Sequence, residues 1–218
     1  YNRYMDIRIA PGNAMDIYVT AQRWSWAFLY PNGTTSSNAF EEGVDGKPGQ
    51  IVGQGLVVPV GRPVRLVMSS LDVLHSFYIT NFRIKQDVLP NRYTVQWFQA
   101  IKEGDYPIYC AEYCGTSHSR MLGTVHVVSE AKYNEWVETG GLDPTKMTPA
   151  EYGRALYIKH ACVTCHSLDG KRGNGPSFKG IWGHPAELEG GGTATVDAEY
   201  IHESLMVPTA KVVKGFAP

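Results

Sequence analysis

Two thiols, an imidazole and a thioether lie within twelve residues near the middle of the chain, at Cys110, Cys114, His118 and Met121. A further imidazole, His75, precedes them. Soft sulfur together with imidazole favours copper or zinc. Two thiolates that bridge two copper ions use all of these side chains, with one imidazole on each copper and the weaker positions left to Met121 and a backbone carbonyl. Such a centre suits fast electron transfer, because charge shared over two coppers needs little rearrangement.

Other chemistries use only part of this set. A Cys110–Cys114 disulfide leaves the histidines and the methionine without a role. A structural zinc site would take two Cys and two His but has no use for Met121. A blue-copper centre needs only one thiolate, and so does a Cys–His nucleophile pair. These alternatives remain open at this stage.

A second pair of thiols lies at Cys162 and Cys165, directly followed by His166. Cys-x-x-Cys-His is the attachment signature of c-type haem, in which the thiols bind the haem covalently and the histidine ligates iron. A thioredoxin-like redox pair does not need His166. A zinc knuckle would need further ligands, and His160 and His184 have poor spacing for that role. The pattern therefore predicts haem c.

Composition limits the remaining classes of function. The 218 residues carry a formal net charge of −1, which argues against non-specific nucleic-acid binding. The four cysteines form two tight clusters instead of a scattered disulfide framework. No apolar run reaches the roughly 20 residues that a membrane helix needs.

The elements that must position these groups fall into two regions. Residues 1–129 show short period-two segments separated by turn signals, which predicts an all-β sandwich or Greek-key barrel. Residues 34–54, rich in Gly, Ser and Asn, are expected to form a long surface loop. The predicted strands are Met15–Tyr30, Leu56–Val60, Val64–Ser69, His75–Thr80, Tyr93–Ala100, Asp105–Cys110 and Gly123–Val128.

The remainder of the chain has helical character. A short helix, Glu130–Val137, and a linker that includes Pro144 fill residues 130–147. Thr148, Pro149 and Glu151 form a capping-box signature that predicts a helix over residues 149–160, and a second helix is expected over 198–206. Residues 148–218 are therefore predicted to be a separate small all-α domain.

The segment from Asp72 to Val128 resembles subunit II of haem–copper cytochrome c oxidases. The resemblance rests on three motifs in the family's order: Asp-Val-Leu-His-Ser-Phe from Asp72, Arg-Ile-Lys-Gln-Asp-Val-Leu-Pro from Arg83, and Tyr-Cys-Ala-Glu-Tyr-Cys-Gly-Thr-Ser-His from Tyr109. It implies the binuclear copper centre CuA on a cupredoxin-like barrel. The implied copper ligands are His75, Cys110, Cys114, His118, Met121 and the backbone carbonyl of Glu112.

The resemblance also implies roles for two neighbouring residues. The Glu112 side chain would reach a Mg²⁺ ion at the boundary with subunit I, the alternative being an ordinary exposed carboxylate. Trp24, Trp26 and Phe28 would share one face of a strand by period two, which by itself is typical of core. In the family the first of these tryptophans lies where electrons enter, and that residue is Trp24 here. Arg23 stands where the family often has Gln.

The second region resembles class I cytochromes c. There the proline carbonyl of a Gly-Pro pair, here Gly175-Pro176, accepts a hydrogen bond from the proximal histidine. Related domains take a sixth iron ligand from a Met after a Lys-Gly-Phe-Pro-like stretch. We expect that Met beyond Pro218, because Met206 lies within a predicted helix and is expected to be core.

Together these resemblances imply the electron-input subunit of a bacterial, proton-translocating terminal oxidase in which cytochrome c is fused to subunit II. The chain would hold no catalytic residues for oxygen reduction, which belongs to subunit I. Its partners would be subunit I, other oxidase subunits and a donor cytochrome or quinol-oxidising complex. An N-terminal membrane hairpin preceding Tyr1 would place both domains on the outer, periplasmic face of the cytoplasmic membrane.

Three other functions remain as alternatives. The copper-bearing part of a nitrous-oxide reductase shares the two-Cys loop, but this chain lacks that enzyme's His-rich domain. A free-standing soluble electron carrier would use the same two centres. A zinc-stabilised β-domain with a redox-inactive tail is the third.

Overall fold

The structure is a computed structural model that describes residues 2–41, 48–142, 145 and 147–217. It forms two compact units, Tyr1–Ala161 and Cys162–Pro218. Pro144 and Pro218, which the sequence analysis placed in the linker and at the end of the haem domain, lie outside the described residues. No helix among the described residues combines the length and hydropathy needed to cross a bilayer.

The first unit is built on two sheets. A six-stranded sheet has the order β4-β3-β2-β1-β6-β9, and a five-stranded sheet has the order β5-β11-β10-β7-β8. The strands are β1 Met15–Gln22, β2 Ser25–Leu29, β3 Thr35–Glu41, β4 Gln50–Val52, β5 Leu56–Pro59, β6 Pro63–Ser70, β7 His75–Ile79, β8 Ile84–Val88, β9 Thr94–Gln99, β10 Gly104–Cys110 and β11 Leu122–Val128.

Alternating side chains of both sheets form one core. In β1 the inward positions Met15, Ile17, Val19 and Ala21 are buried, and the residues between them are not. This is the period-two pattern expected for strands with one buried face. The predicted all-β architecture of the first unit is confirmed.

The sequence predictions differ from the observed strands in three places. The segment predicted as a long loop, residues 34–54, contains β3 and β4. The expected strand Met15–Tyr30 is interrupted by a turn at Arg23 and Trp24, so it forms the two antiparallel strands β1 and β2. The edge strand β8 was also missed.

Four α-helices lie among the described residues: α1 Asn2–Arg8, α2 Glu130–Thr139, α3 Pro149–Lys159 and α4 Ala198–Met206. The capping box predicted for α3 is present, since Thr148 Oγ1 accepts from the Glu151 backbone N–H and the Glu151 carboxylate accepts from the Thr148 backbone N–H. The predicted helix starts at Glu130, Pro149 and Ala198 are confirmed.

Helix α3 belongs to the first compact unit, whereas its sequence position suggested the second. Ser37 Oγ on β3 donates to the carbonyls of Ile158 and Lys159 at 3.1 and 2.7 Å. The Arg154 guanidinium binds the Glu41 carboxylate at 2.8 Å. These contacts attach the helix to the six-stranded sheet.

The second unit contains α4, a 3-10 turn at Cys162–Thr164 and a two-stranded hairpin. The hairpin pairs β12 Pro185–Glu187 with β13 Thr193–Thr195. The expectation of a purely α-helical domain is therefore wrong for this unit. Short segments without period-two hydrophobicity gave no strand signal in this region.

Candidate functional sites

The five predicted copper-ligand side chains come from three neighbouring pieces of the five-stranded sheet. His75 starts β7 and Cys110 ends β10, and the two strands pair with Cys110 opposite Phe77. Cys114, His118 and Met121 follow in the loop that leads into β11. Strand pairing therefore brings His75 to the two thiols.

The donor atoms converge closely. Cys110 Sγ lies 3.8 Å from Cys114 Sγ, 3.9 Å from His75 Nδ1 and 3.3 Å from the Glu112 carbonyl oxygen. Cys114 Sγ lies 3.5 Å from His118 Nδ1 and 3.8 Å from Met121 Sδ. The sulfur–sulfur distance exceeds a disulfide bond of about 2.05 Å. The four other predicted donors thus surround the thiol pair, two at each sulfur, so that each sulfur has three donor neighbours when the partner thiol is included.

The site is closed to water on its inner side. The side chains of His75, Cys114 and Met121 are buried, and Cys110 is nearly so. Among the described residues, one group of three His, Cys, Asp or Glu side chains has its donor atoms within 4.8 Å of one another: His75, Cys110 and Cys114. The Glu112 side chain is half-buried and belongs to no such group in that part of the chain.

Without metal the thiol pair favours a single negative charge. Burial opposes ionisation of both thiols, but the hydrogen bond with His75 lowers the pKa of Cys110 to about 7. Burial and the adjacent Cys110 thiolate raise the pKa of Cys114. A bound cation would stabilise the second thiolate, as metals do for coordinating thiols. The donor set therefore fits two soft copper ions.

Asp72 fixes the orientation of His75. The ring donates from Nε2 to Asp72 Oδ1 at 2.8 Å, which leaves Nδ1 facing Cys110. Burial acts to raise the pKa of Asp72, but hydrogen bonds from His75, Arg23 and Val73 lower it to about 2. Carboxylates that orient metal-ligating histidines in this way are common around metal sites. Sequence reasoning missed this role, although an Asp three residues before the ligand is a usable signal.

The aromatic segment does not lie on one strand face as predicted. Trp26 and Phe28 are buried in β2, whereas Trp24 lies in the turn before it and is half-buried. The Trp24 indole covers Gly115, where an added Cβ would lie 3.3 Å from Cζ2. Gly115 also has φ of +123°, which favours glycine. Trp24 is thus in contact with the loop that carries Cys114 and His118.

In the second unit, the predicted haem-attachment residues lie in one short segment. Cys162 begins the 3-10 turn, and Cys165 and His166 follow it. His166 Nδ1 donates to the Pro176 carbonyl at 2.7 Å, and the Phe178 ring stacks on the imidazole with centroids 4.4 Å apart. An added Cβ at Gly175 would lie 2.5 Å from His166 Cε1. The Pro176 carbonyl therefore engages Nδ1 and orients the imidazole ring.

The described part of the second unit has a small core of its own. Its buried apolar side chains are Val196 and Tyr200, while Phe178, Trp182 and Leu205 are exposed. Met206, expected to be core, is 69% exposed, so that expectation was wrong. A unit with few buried and many exposed apolar side chains fits a large apolar cofactor that would cover them.

Comparison with known proteins places the first unit in a family. Residues 15–128 match the family described as cytochrome c oxidase subunit II, periplasmic domain. The alternative cytochrome c oxidase subunit 2 of Bradyrhizobium diazoefficiens is 34% identical over 143 residues, covering 59% of this chain and 52% of that protein. Cytochrome c oxidase subunit 2 of Synechocystis sp. is 33% identical over 168 residues, covering 72% and 46%. The chain spans about half the length of these relatives.

Solved structures show the same fold. The periplasmic domain of subunit II of cytochrome oxidase of Bradyrhizobium japonicum aligns with a TM-score of 0.54 and 28% identity, covering 61% of this chain and 97% of that one. A mixed disulfide intermediate between a thioredoxin-like protein and subunit II of cytochrome c oxidase aligns with a TM-score of 0.51 and 28% identity, covering 61% and 94%. The cupredoxin-like fold predicted for the first unit is confirmed. The chain belongs to the family of cytochrome c oxidase subunit II periplasmic domains.

Proposed function

We propose that this chain is the electron-input subunit of a haem–copper cytochrome c oxidase, receiving electrons at a covalent haem c and passing them through a CuA centre to subunit I. The observation that carries the proposal is the convergence of two thiols, two imidazoles, a thioether and a carbonyl around one buried point. A structural zinc site would not use all six donors.

At the copper site, the thiols of Cys110 and Cys114 and the imidazoles of His75 and His118 would hold the two metal ions. Bound copper would supply the one-electron chemistry. The burial of His75 and Met121 excludes water, and Asp72 holds the His75 ring in place. A rigid, dry ligand set keeps the geometry similar in both oxidation states.

In the second unit, Cys162 and Cys165 would hold haem through thioether bonds, and His166 would be the proximal ligand. The Pro176 carbonyl fixes the imidazole orientation, and Gly175 leaves space for the ring. The compact unit Cys162–Pro218 would then form the body of a cytochrome c domain over residues 148–218, although its first helix, α3, packs within the first unit. This domain would be fused to a CuA domain over residues 1–129, with residues 130–147 between them.

The partners follow from these roles. Subunit I would receive the electron, with the Glu112 carboxylate contributing to a Mg²⁺ site at the boundary with that subunit, and other oxidase subunits would complete the complex. The donor would be a cytochrome or a quinol-oxidising complex. The subunit would act at the periplasmic face of the bacterial cytoplasmic membrane, as part of a proton-translocating respiratory oxidase.

The test is an optical and electron paramagnetic resonance spectrum of the chain produced with copper and haem supplied. We expect a mixed-valence dicopper signal and a c-type haem band. Metal analysis that finds zinc without copper would overturn the copper assignment. Co-purification with a large haem-containing membrane subunit would separate an oxidase subunit from a free-standing carrier.

A further inference from the structure

The turn between β1 and β2 contacts two segments next to the proposed copper site: the loop that carries Cys114 and the segment just before His75. On one side, the Trp24 indole lies on Gly115, one residue after Cys114. On the other side, Arg23 binds Asp72 twice, through its backbone N–H at 2.8 Å and through Nε at 3.1 Å. The turn therefore contacts both of these segments.

The two carboxylate oxygens of Asp72 accept hydrogen bonds from different partners. Oδ2 accepts both hydrogen bonds from Arg23, while Oδ1 accepts from His75 Nε2 and from the Val73 backbone N–H. A carboxylate held at both oxygens cannot rotate without breaking contacts on each side. The position of His75 is therefore coupled to that of Arg23.

We propose that Arg23 is a positioning residue of the copper centre, which acts through Asp72 to fix the His75 ring and to tie it to the turn that carries Trp24. This inference rests on the proposed copper function. The Arg23 side chain is 51% exposed, and exposed ion pairs contribute little to stability. Its effect should therefore be seen in the copper centre and not in the unfolding temperature.

The charges give the sign of the effect. Replacing Arg23 by Met removes a positive charge near the copper site, which stabilises the oxidised, more positive state and lowers the reduction potential. Asp72→Asn removes a negative charge and should raise that potential. Because Asp72 contacts only His75 among the two imidazole ligands, one of the two imidazole nitrogen couplings should change and the other should not.

The experiment compares the copper-loaded wild-type chain with Arg23→Met, Arg23→Lys and Arg65→Met by potentiometry and pulsed electron paramagnetic resonance. Arg65 is the matched control, since it forms a similar exposed ion pair with Asp16 on the six-stranded sheet. We expect a lower potential and one altered nitrogen coupling in Arg23→Met, a smaller change in Arg23→Lys and none in Arg65→Met. In an Asp72→Asn background, Arg23→Met should no longer alter the imidazole nitrogen coupling, because Arg23 would act on His75 only through the Asp72 carboxylate.

Each outcome of this experiment either supports or overturns the role proposed for Arg23. A wild-type potential and both wild-type couplings in Arg23→Met would overturn the inference while leaving the copper function intact. Equal shifts in Arg65→Met would also overturn it, because they would indicate a general charge effect. Loss of copper in Arg23→Met at an unchanged unfolding temperature would support it, and a lowered unfolding temperature would count against it. A wild-type chain without a dicopper signal would refute the proposed function itself.

Discussion

The indole of Trp26 meets the imidazole of His75 nearly edge-on, with ring centroids 6.2 Å apart and an interplanar angle of 64°. Trp26 also meets Phe77 edge-on, with centroids 5.0 Å apart. All three side chains are buried. Trp26, on the six-stranded sheet, therefore packs directly against His75, a predicted ligand on the five-stranded sheet.

This contact predicts that Trp26→Ala lowers both stability and copper affinity. Removing a fully buried tryptophan should cost about 3–5 kcal/mol of unfolding free energy. It should also weaken copper binding, because His75 loses the ring that supports it. Urea unfolding and a copper-competition titration measure the two effects. Phe28→Ala is the control, since Phe28 is equally buried on the same strand. This variant should lose a similar amount of unfolding free energy, but its folded fraction should bind copper with the wild-type affinity. Equal losses of affinity in both variants would contradict the prediction.

The thiol pair gives a second prediction. Cys114→Ser should abolish the mixed-valence signal, because a single thiolate cannot bridge two coppers in the same way. We expect the remaining donors around Cys110 to hold one copper, so the hyperfine pattern should change from two equivalent nuclei to one. Cys165→Ser, in the other compact unit, is the control and should leave the copper spectrum unchanged. A delocalised two-copper signal that survives in Cys114→Ser would be inconsistent with the bridging role.

Helix α3 should depend on its capping box. Thr148→Ala should destabilise the helix by about 1 kcal/mol, as is typical when a cap is lost. Hydrogen bonds with Thr148 lower the pKa of Glu151, so this carboxylate stabilises the fold above its unfolded pKa and loses that effect as pH falls through its folded pKa. The protection factors of the α3 amides, which are corrected for the pH dependence of intrinsic exchange, should therefore fall in acid in the wild type. Glu151→Gln should show less of this acid dependence, and an unchanged acid response would contradict the assignment.

Local signals were enough to predict the starts of helices α2, α3 and α4, whereas helix α1 was not predicted. Thr148 and Glu151 mark the start of α3 through contacts made within four residues, so no tertiary information is needed. The cysteines and histidines can be identified as candidate metal ligands from their side-chain chemistry and from their spacing in the sequence. The likeness of residues 72–128 to oxidase subunit II then implied which donors would bind copper, and the structure brings those donors together.

The missed features depend on contacts that are distant in sequence. Strand β3 contains Ser36, Ser37 and Asn38, which look like loop residues but are buried. Their polar groups are satisfied elsewhere, since Ser36 Oγ donates to the Gly55 carbonyl and Asn38 Oδ1 accepts from the Thr124 backbone N–H. Likewise, the break at Trp24 follows a turn that Arg23 anchors to Asp72, 49 residues away. Hydrophobic periodicity carries no information about such partners.

The proposed haem site gives a prediction that does not depend on the attachment motif. Gly175→Ala should disturb His166, because the new Cβ would lie 2.5 Å from Cε1 of the imidazole. The backbone of Gly175 does not have positive φ, so the effect would come from the steric clash alone. We expect covalent haem to be retained through Cys162 and Cys165 but the proximal ligation, seen in the visible spectrum, to weaken. Gly190→Ala is the control, since nothing lies within 4 Å of its added Cβ. A normal spectrum in Gly175→Ala would argue against His166 as the ligand.

Trp24 is the residue for which geometry and family resemblance lead to a kinetic prediction. Its ring covers Gly115 in the loop that carries the predicted copper ligands Cys114 and His118, and its side chain is half-buried. Trp24→Phe removes part of that ring and should slow copper reduction several-fold while leaving the copper spectrum intact. Stopped-flow reduction by a small c-type cytochrome measures the rate. Trp97→Phe, a half-buried tryptophan on β9, is the matched control and should reduce at the wild-type rate. If Trp24→Phe and Trp97→Phe both keep that rate, electrons reach the copper site by a route that does not include Trp24.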